Sequence, residues 1–327
     1  MTQSKILYYS ELHNEYATLC HDLIHASVDC QDMDPTGNLS EQMRGVQVVV
    51  DIGGRAASEI IDAAEDVRLW QVIGTGLDHC EVNRILDKGI ALSHTPGFTS
   101  AYGLAESAMM YILMLTRKYH TARTNFGTDM WFEPNGKTVD GMVLGIIGYG
   151  ASGRQLAKRA KSFGMRIEAI DIRPLEEDLA DEYQPDFYGT PDDMDQMIAR
   201  SDVLSVHLHL TPETKHIIDR RRLSLMKRSA LVINVARGAL IDEEALAEAV
   251  LEEKLGGAGV DVFSVEPADA GRPEYQLPNF VVTPHTSGQT DETVRRRCAI
   301  AVDNIRRLAQ GEELLHTVDA SMGLGKV

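Results

Sequence analysis

A glycine-rich turn between two apolar segments restricts the possible folds of this chain more than any other feature. Residues 143–147 form a short apolar run of the kind that builds one buried parallel strand. The motif G-x-G-x-x-G starts at Gly148, and apolar residues follow it at helical spacing. Residues 166–170 indicate a second strand, with Asp171 at its carboxyl end. This order of elements predicts a dinucleotide-binding βαβ unit.

Each glycine of the motif has its own physical task. Gly148 permits the tight turn out of the strand, Gly150 lets the backbone touch a pyrophosphate, and Gly153 allows close packing of helix on strand. The first N–H groups of the helix stand at the positive end of its dipole and point towards the ligand. These N–H groups belong to Ala151, Ser152 and Gly153.

The acid at the end of the second strand indicates which dinucleotide is bound. Asp171 can accept hydrogen bonds from both ribose hydroxyls and would repel a 2′-phosphate, so the sequence favours NAD over NADP. Arg173 departs from this pattern, because an arginine there could help to hold a phosphate. The alternative is a glycine-rich turn without a ligand, and the surrounding strand, helix and acid argue against it.

The composition of the 327 residues excludes several other classes of function. A net charge of −17 argues against nucleic acids and anionic membranes as partners, although a local basic pocket can still bind a small anion. The longest apolar run, 108–115, is too short for a membrane span, and the N-terminus lacks a signal-peptide pattern. The four cysteines form no C-x-x-C motif, and no Cys/His cluster has zinc spacing. We therefore expect a reduced, cytoplasmic protein without a metal site.

Alternating strand and helix patterns on both sides of the motif predict two α/β domains. The predicted strands cover 5–9, 46–50, 69–73 and 90–94 in front, and 143–147, 166–170, 202–208, 231–236, 259–263 and 280–283 behind. The second group makes a six-stranded doubly wound sheet. We expect a long helix at 102–120, a turn-rich arm around Trp131, and a closing helix at 291–310 that packs back on the front domain.

Three residues with reactive side chains follow strands of the second half, at the edge where doubly wound sheets bind ligands. They are Arg237, Glu266 and His285. Reduction of a 2-keto acid needs a bidentate arginine for the carboxylate and a proton donor for the carbonyl oxygen. Histidine suits proton donation near neutral pH, and a neighbouring carboxylate favours the protonated ring. Each residue could instead be an ordinary surface or loop residue, but their common edge beside the dinucleotide motif favours catalysis.

Five motifs lie in order along nearly the whole chain. They are G-T-G-L-D at 74–78, the glycine motif with Asp171, N-V-A-R-G at 234–238, G-V-D-V-F-x-x-E-P at 259–267, and T-P-H at 283–285. With these motifs the chain resembles the D-specific 2-hydroxyacid dehydrogenase family. The resemblance implies an NAD-dependent oxidoreductase for a small 2-keto acid and its D-2-hydroxy acid. It also implies a doubly wound (Rossmann) cofactor domain at 98–289 and a flavodoxin-like substrate domain at 1–97 plus 290–327.

The resemblance implies a role for each candidate residue. Arg237 binds the substrate and polarises its carbonyl, His285 is the acid/base, and Glu266 tunes His285. The 74–78 loop holds the substrate carboxylate, so the implied substrate site comprises Thr75, Gly76, Arg237 and His285. The implied cofactor site comprises Gly148, Gly150, Ala151, Ser152, Gly153, Asp171, Ile172, Arg173, Leu208, Pro212, Val235, Ala236, Arg237, Asp261, His285 and Gly288. Asp261 would contact the nicotinamide.

The resemblance also bears on partners and on a competing function. It implies a homodimer built on the cofactor domains, with the 102–120 helix and the Trp131 arm in the contact. Asp51 stands where family members acting on phosphoglycerate look basic, which disfavours a phosphorylated substrate. NAD-sensing corepressors with little turnover resemble the same family and are the alternative. They usually carry long disordered tails, which this sequence does not show, and we interpret His207 and His209 as structural.

Overall fold

The computed structural model describes residues 5–176 and 179–319, which divide into two compact units. Unit 1 comprises Met1–Thr99 and Gln289–Val327, and unit 2 comprises Ser100–Gly288. Each unit is built around one β-sheet of mainly parallel strands, as the predicted fold class requires. The functional roles assigned to the two predicted domains remain predictions.

In its described residues, unit 1 contains six strands and five α-helices, numbered along the chain. The strands are β1 (Lys5–Tyr9), β2 (Gln31–Asp32), β3 (Val46–Ile52), β4 (Leu69–Ile73), β5 (Ala91–Ser93) and β13 (Thr317–Val318). The helices are α1 (Glu15–His25), α2 (Leu39–Met43), α3 (Ser58–Asp62), α4 (Val82–Asp87) and α11 (Asp291–Gln310). The strand order is β2-β1-β3-β4-β5-β13, with only β13 antiparallel. The first five strands have flavodoxin-like order, which confirms the predicted class.

The central strands of unit 1, β1, β3 and β4, carry apolar residues on both faces, because helices cover both faces of the sheet. Ile6, Val48 and Val50 belong to the core that α1 and α11 complete. Leu7 and Val49, which alternate with them, belong to the core on the opposite face, towards α3 and α4. Two-sided burial explains why these strands read as short, nearly continuous apolar runs in the sequence.

The last helix is tied to the sheet of unit 1 by one buried amide. Helix α11 packs against α1 and β4, as predicted. The Nδ2 of Asn304 donates to Oε1 of Gln71 (2.8 Å), Oγ of Ser93 (2.9 Å) and the carbonyl oxygen of Leu315 (3.0 Å), while its Oδ1 accepts the Leu315 N–H (2.7 Å). The amide therefore joins α11, β4, β5 and the segment before β13.

Within the part that the structure describes, unit 2 contains seven parallel strands in the order β12-β11-β10-β9-β6-β7-β8. The strands are β6 (Val143–Ile147), β7 (Arg166–Ile170), β8 (Phe187–Gly189), β9 (Val203–Val206), β10 (Leu231–Asn234), β11 (Gly257–Val260) and β12 (Phe280–Val282). The helices are α5 (Ala101–Thr116), α6 (Tyr119–Asn125), α7 (Ala151–Ser162), α8 (Met194–Arg200), α9 (Arg220–Leu225) and α10 (Glu243–Leu251). The strand order reverses between β6 and β9, which creates the ligand-binding edge of a doubly wound sheet.

Two predictions for unit 2 need correction. The sheet has seven strands and not six, because β8 pairs with β7 at the edge. The predicted long helix ends at Thr116, and α6 begins after Lys118, whose φ of 49° breaks the helix. Within the described ranges, no helix combines the length and apolar character that a membrane crossing requires.

Candidate active site

The glycine turn after β6 has the shape that its sequence predicts. Gly148 has a φ of 91°, in the region that favours glycine, and a Cβ there would lie 2.6 Å from the carbonyl oxygen of His207. A Cβ on Gly153 would lie 2.3 Å from the carbonyl oxygen of Gly148. The backbone of the protein itself therefore requires glycine at both positions, for the turn and for the contact of α7 with β6.

The middle glycine of the motif is not required by the packing of the protein. Gly150 has an extended backbone, and the atom nearest to an added Cβ is Nη2 of Arg173, at 3.4 Å. Beside it, the N–H groups of Ala151, Ser152 and Gly153 in the first turn of α7 have no partner within the helix. A bare backbone next to such N–H groups fits the close approach of a pyrophosphate. The turn thus fits a dinucleotide cofactor.

Asp171 lies at the end of β7, and Arg173 closes over it. The carboxylate accepts hydrogen bonds from the N–H groups of Tyr149 (2.8 Å) and Arg173 (3.0 Å) and two from the Arg173 guanidinium (3.1 and 3.0 Å). Burial opposes ionisation, but these hydrogen bonds outweigh it and hold the pKa of Asp171 below its usual range. Asp171 is therefore an ionised acceptor, suited to ribose hydroxyls. Its neighbour Ile172 is 85% exposed.

A histidine after β9 contacts a serine of the glycine turn through its side chain. Nδ1 of His207 lies 3.0 Å from Oγ of Ser152, and Nε2 lies 2.9 Å from Oγ of Ser205. Burial lowers the pKa of His207 to about 4. The ring is therefore neutral and bonds the two hydroxyls through one donor and one acceptor nitrogen. This agrees with the interpretation of His207 as structural, and adds that it positions a residue of the cofactor turn.

His285 and Glu266 form a hydrogen-bonded pair. Nδ1 of His285 lies 2.8 Å from Oε2 of Glu266, whose Oε1 accepts the Phe263 N–H at 3.1 Å. Burial opposes ionisation of Glu266, but the bond from His285 and the charge of Arg237 outweigh it and lower the pKa of Glu266. An ionised Glu266 accepts the Nδ1 proton, so Nε2 is the ring atom that takes or gives a proton. The imidazole side chain is 43% exposed and accessible to a ligand.

Asp261 holds the loop that carries His285. Its fully buried carboxylate accepts hydrogen bonds from the N–H groups of Thr286 and Ser287, at 2.8 Å each, and from the Thr283 hydroxyl. The N–H of His285 donates to the carbonyl oxygen of Asp261 at 2.8 Å, and His285 has a φ of 55°. The side chain of Asp261 is not exposed, and its predicted contact with the nicotinamide stays a prediction.

Arg237 follows β10 at the same edge of the sheet. It is half-buried, its Nη1 donates to the carbonyl oxygen of Ala236 (2.7 Å), and its charge contributes to the lowered pKa of Glu266. Unit 2 therefore brings Arg237, Glu266 and His285 into one electrostatic neighbourhood. The other predicted cofactor residues divide by exposure: Val235 is buried, Leu208, Ala236 and Gly288 are partly buried, and Pro212 is exposed.

The predicted substrate loop lies in unit 1, directly after β4. Thr75 and Gly76 are partly exposed, and among the residues that the structure describes their backbone N–H groups find no acceptor. Two successive N–H groups of this kind can bind an anion such as a carboxylate. Nδ1 of His94 lies 3.0 Å from the carbonyl oxygen of Thr75, so His94 supports the loop.

The sequence analysis missed Arg297, which lies against this loop. From α11 its guanidinium donates to the hydroxyls of Tyr16 (3.1 Å), Thr75 (3.2 Å) and Thr99 (3.4 Å). These acceptors are uncharged, and no carboxylate in the described segments pairs with Arg297. The contact joins residues 222 positions apart, so only the fold reveals it.

Asp51 does not argue against a phosphorylated substrate as predicted, because its side chain is buried. Its carboxylate is 1% exposed and accepts hydrogen bonds from Nε1 of Trp70 (3.0 Å) and the N–H of Arg55 (3.2 Å). Burial also raises the pKa of Asp51 to about 6. Asp51 therefore stabilises the turn after β3 and presents no charge to a ligand.

Comparison with known proteins finds relatives of this chain in sequence and in fold. The family model described as "D-isomer specific 2-hydroxyacid dehydrogenase, NAD binding domain" matches residues 109–287. A hydroxypyruvate reductase of Thermotoga maritima is 38% identical over 253 residues, which cover 76% of this chain and 80% of that protein. A glyoxylate reductase of Thermofilum pendens is 33% identical over 261 residues, covering 78% and 76%. The crystal structure of a glyoxylate reductase from Paecilomyes thermophila has a TM-score of 0.81 at 27% identity, covering 98% and 100%.

Proposed function

The chain belongs to the D-isomer specific 2-hydroxyacid dehydrogenase family, and from this premise we propose how its own residues act. The protein is an NAD-dependent oxidoreductase that interconverts a 2-keto acid and its 2-hydroxy acid. The main support for the catalytic residues is the hydrogen bond between His285 and Glu266, which lie in the same unit as the dinucleotide turn. The two sequence relatives described above are named as reductases, which does not favour the corepressor-like alternative.

His285 is the proton donor in reduction. A dinucleotide held by the turn at residues 148–153 and by Asp171 would supply the hydride to the carbonyl carbon, and the carbonyl oxygen of the substrate would then gain negative charge. Nε2 of His285 protonates that oxygen, while Glu266 accepts the Nδ1–H and stabilises the charged imidazole. The Phe263 N–H fixes the carboxylate, and Asp261 fixes the loop from behind. In the reverse direction the same nitrogen accepts the proton.

Positive groups bind the substrate carboxylate. Arg237 is suited to a bidentate contact with a carboxylate or to polarising the carbonyl. The N–H groups of Thr75 and Gly76 offer a second anion site, and Arg297 places a positive charge beside Thr75. We assign all four to substrate binding. Because two relatives carry the names hydroxypyruvate reductase and glyoxylate reductase, we expect a short, unphosphorylated 2-keto acid.

Cofactor choice, assembly and location complete the proposal. Asp171 favours the ribose diol of NAD, and its bonds to Arg173 must open on one side to receive it. We propose a homodimer that works in the cytoplasm, without nucleic-acid or membrane partners. The lack of a disulfide among the four described cysteines supports the location, and the net charge of −17 supports the absence of such partners.

Oxidation of NADH in the presence of a panel of keto acids tests the reaction. The panel comprises glyoxylate, hydroxypyruvate, pyruvate and larger branched or aromatic keto acids, followed by the loss of nicotinamide absorbance. We expect turnover with at least one short acid. The substitution His285→Gln should lower turnover by roughly 10²–10⁴-fold while NADH binding persists. His120→Gln, at an exposed position of the same unit, serves as the matched control.

The outcomes separate the parts of the proposal. Tight NADH binding without oxidation by any keto acid would reject the reductase activity. Turnover that survives His285→Gln unchanged would reject the acid role of His285 and leave the reaction class intact.

A further inference from the structure

Helix α1 and the edge strand β2 bring two histidines and an aspartate together, far from any predicted site in the sequence. His21 and His25 lie one helical turn apart, and Asp32 faces both from β2. Nε2 of His21 is 3.2 Å from Oδ2 of Asp32, and Nε2 of His25 is 3.0 Å from Oδ1. One ligand atom from each residue lies within 4.8 Å of the others. The prediction of no metal site overlooked this pair, because it considered histidine only together with cysteine.

A neutral imidazole does not have enough N–H groups to donate a hydrogen bond in every contact of this cluster. Besides the contact of its Nε2 with Asp32, His21 also has Nδ1 3.3 Å from Oδ1 of Asp22. A neutral ring carries one N–H, so with Asp22 bonded to Nδ1, Nε2 presents a lone pair to a carboxylate. Such an arrangement requires a positive charge between Nε2 and the carboxylate. Either a proton or a metal ion can supply that charge.

The distances suit a metal ion. Zinc binds imidazole nitrogen and carboxylate oxygen at about 2.0–2.2 Å, which separates neighbouring ligand atoms by roughly 3–3.5 Å. The two nitrogen–oxygen distances of 3.0 and 3.2 Å are close to this separation. The side chains are partly open to solvent, so water can reach the ion and complete its coordination. Asp22 on Nδ1 orients the His21 ring, as outer carboxylates do in zinc sites.

We propose that His21, His25 and Asp32 bind one divalent transition-metal ion of the zinc class. Two imidazoles select for Zn²⁺ and its neighbours over Mg²⁺ and Ca²⁺, which prefer oxygen ligands. The ion joins α1 to β2, a strand of two residues that pairs only with β1 in the described sheet. Its binding therefore stabilises the edge of unit 1. The site is independent of the reductase chemistry and of the residues assigned to it.

Titration calorimetry of the full chain with ZnCl₂ tests the site, after chelator treatment and at a pH where imidazole is neutral. We expect saturable binding of one Zn²⁺ per chain. His25→Asn and Asp32→Asn should each weaken it by at least about tenfold. His13→Asn, which changes an exposed histidine just before the same helix, should leave it unchanged. Zn²⁺ should also raise the melting temperature of the unaltered chain and of His13→Asn, but not of His25→Asn.

Three results would reject the metal site. They are no saturable heat with Zn²⁺, equal affinity in the unaltered chain and in both ligand variants, or a loss of binding in His13→Asn as large as in His25→Asn. Circular dichroism without metal shows whether each variant is folded. If His25→Asn fails to fold, the Asp32→Asn variant decides alone, because Asp32 lies on the exposed edge.

Discussion

Arg297 is a cation surrounded by hydroxyl groups, so its positive charge is available to stabilise a bound carboxylate. Its three hydrogen bonds leave its charge uncompensated beside Thr75. A hydrogen bond to a charged partner contributes about 1.5–3 kcal/mol. We therefore expect Arg297→Met to raise KM for the best keto acid about 10–100-fold, with a smaller effect on kcat. Steady-state kinetics measures both constants.

The matched control for Arg297 lies two positions earlier on the same helix. Arg295 is exposed, so Arg295→Met should leave KM unchanged. Arg297→Lys keeps the charge and should recover part of the lost affinity. Equal KM values for Arg297→Met and the unaltered enzyme would show that Arg297 only ties α11 to the loop.

His207 makes the stability of unit 2 depend on pH. Burial lowers its pKa from 6.5 to about 4, so below pH 6.5 the unfolded chain binds a proton that the folded chain does not. Stability from this residue is complete above pH 6.5 and is lost as pH falls towards 4. At about 1.4 kcal/mol for each pKa unit, the loss is at most about 3 kcal/mol, and less because the ring is partly exposed.

Urea unfolding at several pH values measures this effect. His207→Asn should flatten the fall in unfolding free energy between pH 6.5 and 4. His209→Asn changes an exposed neighbour and should keep the slope of the unaltered protein. Identical slopes in all three proteins would contradict a neutral His207 with a lowered pKa.

Single residues were predictable where a local motif carried them. Arg237, Glu266 and His285 each follow a strand within a recognisable segment. Arg297 and the contact between His207 and Ser152 depend on residues far apart in the chain, and no local pattern marks them. Asp51 and Asp261 show the opposite limit. Their positions in the sequence do not reveal that both side chains are buried and that both carboxylates accept hydrogen bonds from backbone N–H groups.

At the level of elements, two glycines in the turn between β6 and α7 have different roles. Gly150 leaves room for the cofactor, whereas Gly153 lets the helix pack on the strand. Gly150→Ala meets only the end of a flexible arginine side chain, so stability should stay near that of the unaltered protein. NADH affinity should fall, because the new methyl group lies where the pyrophosphate approaches. Gly153→Ala meets a backbone oxygen at 2.3 Å and should cost about 1–3 kcal/mol of stability.

Thermal unfolding and NADH fluorescence titration distinguish the two glycine variants. Each variant serves as the control for the other, since they change positions three residues apart in one turn. Tight NADH binding by Gly150→Ala would mean that the cofactor does not approach the turn at this glycine.

The long apolar elements were predictable, and short edge elements were not. Strands β1, β4, β6 and β7 have the predicted bounds, because a buried parallel strand reads as a continuous apolar run. Strand β8 has three residues, two of them only partly buried, and resembles a loop. Helix α11 also has its predicted bounds, since the Thr290 side chain caps its first turn and Gly311 ends it. The break at Lys118 has no such local signal.

For the whole molecule, an exposed apolar arm points to self-association. Phe126, Met130, Trp131 and Phe132 are all exposed in the segment that follows α6, the last of them by 97%. Clustered exposed aromatic residues mark interaction surfaces. We expect a dimer in solution, and Trp131→Ala with Phe132→Ala together should shift it towards monomer. Light scattering after gel filtration measures the mass.

The control for the arm is Phe163→Ala, which removes another exposed aromatic residue of unit 2. It should leave the dimer intact. The double variant should fold with nearly unchanged stability, because neither side chain is buried within the chain. A monomer in the unaltered protein, or a dimer in the double variant, would exclude this arm as the contact.

The amide of Asn304 has a consequence for the synthesis of the protein. It joins α11 and the segment before β13 to β4 and β5, strands made more than two hundred residues earlier. Unit 2 is continuous in the chain, so all of its residues leave the ribosome before those of α11. The front strands must therefore wait, with one face covered by α1 alone, until α11 and β13 have been synthesised. During that interval the exposed apolar surface favours aggregation, and a pause in translation after residue 288 would prolong the exposure.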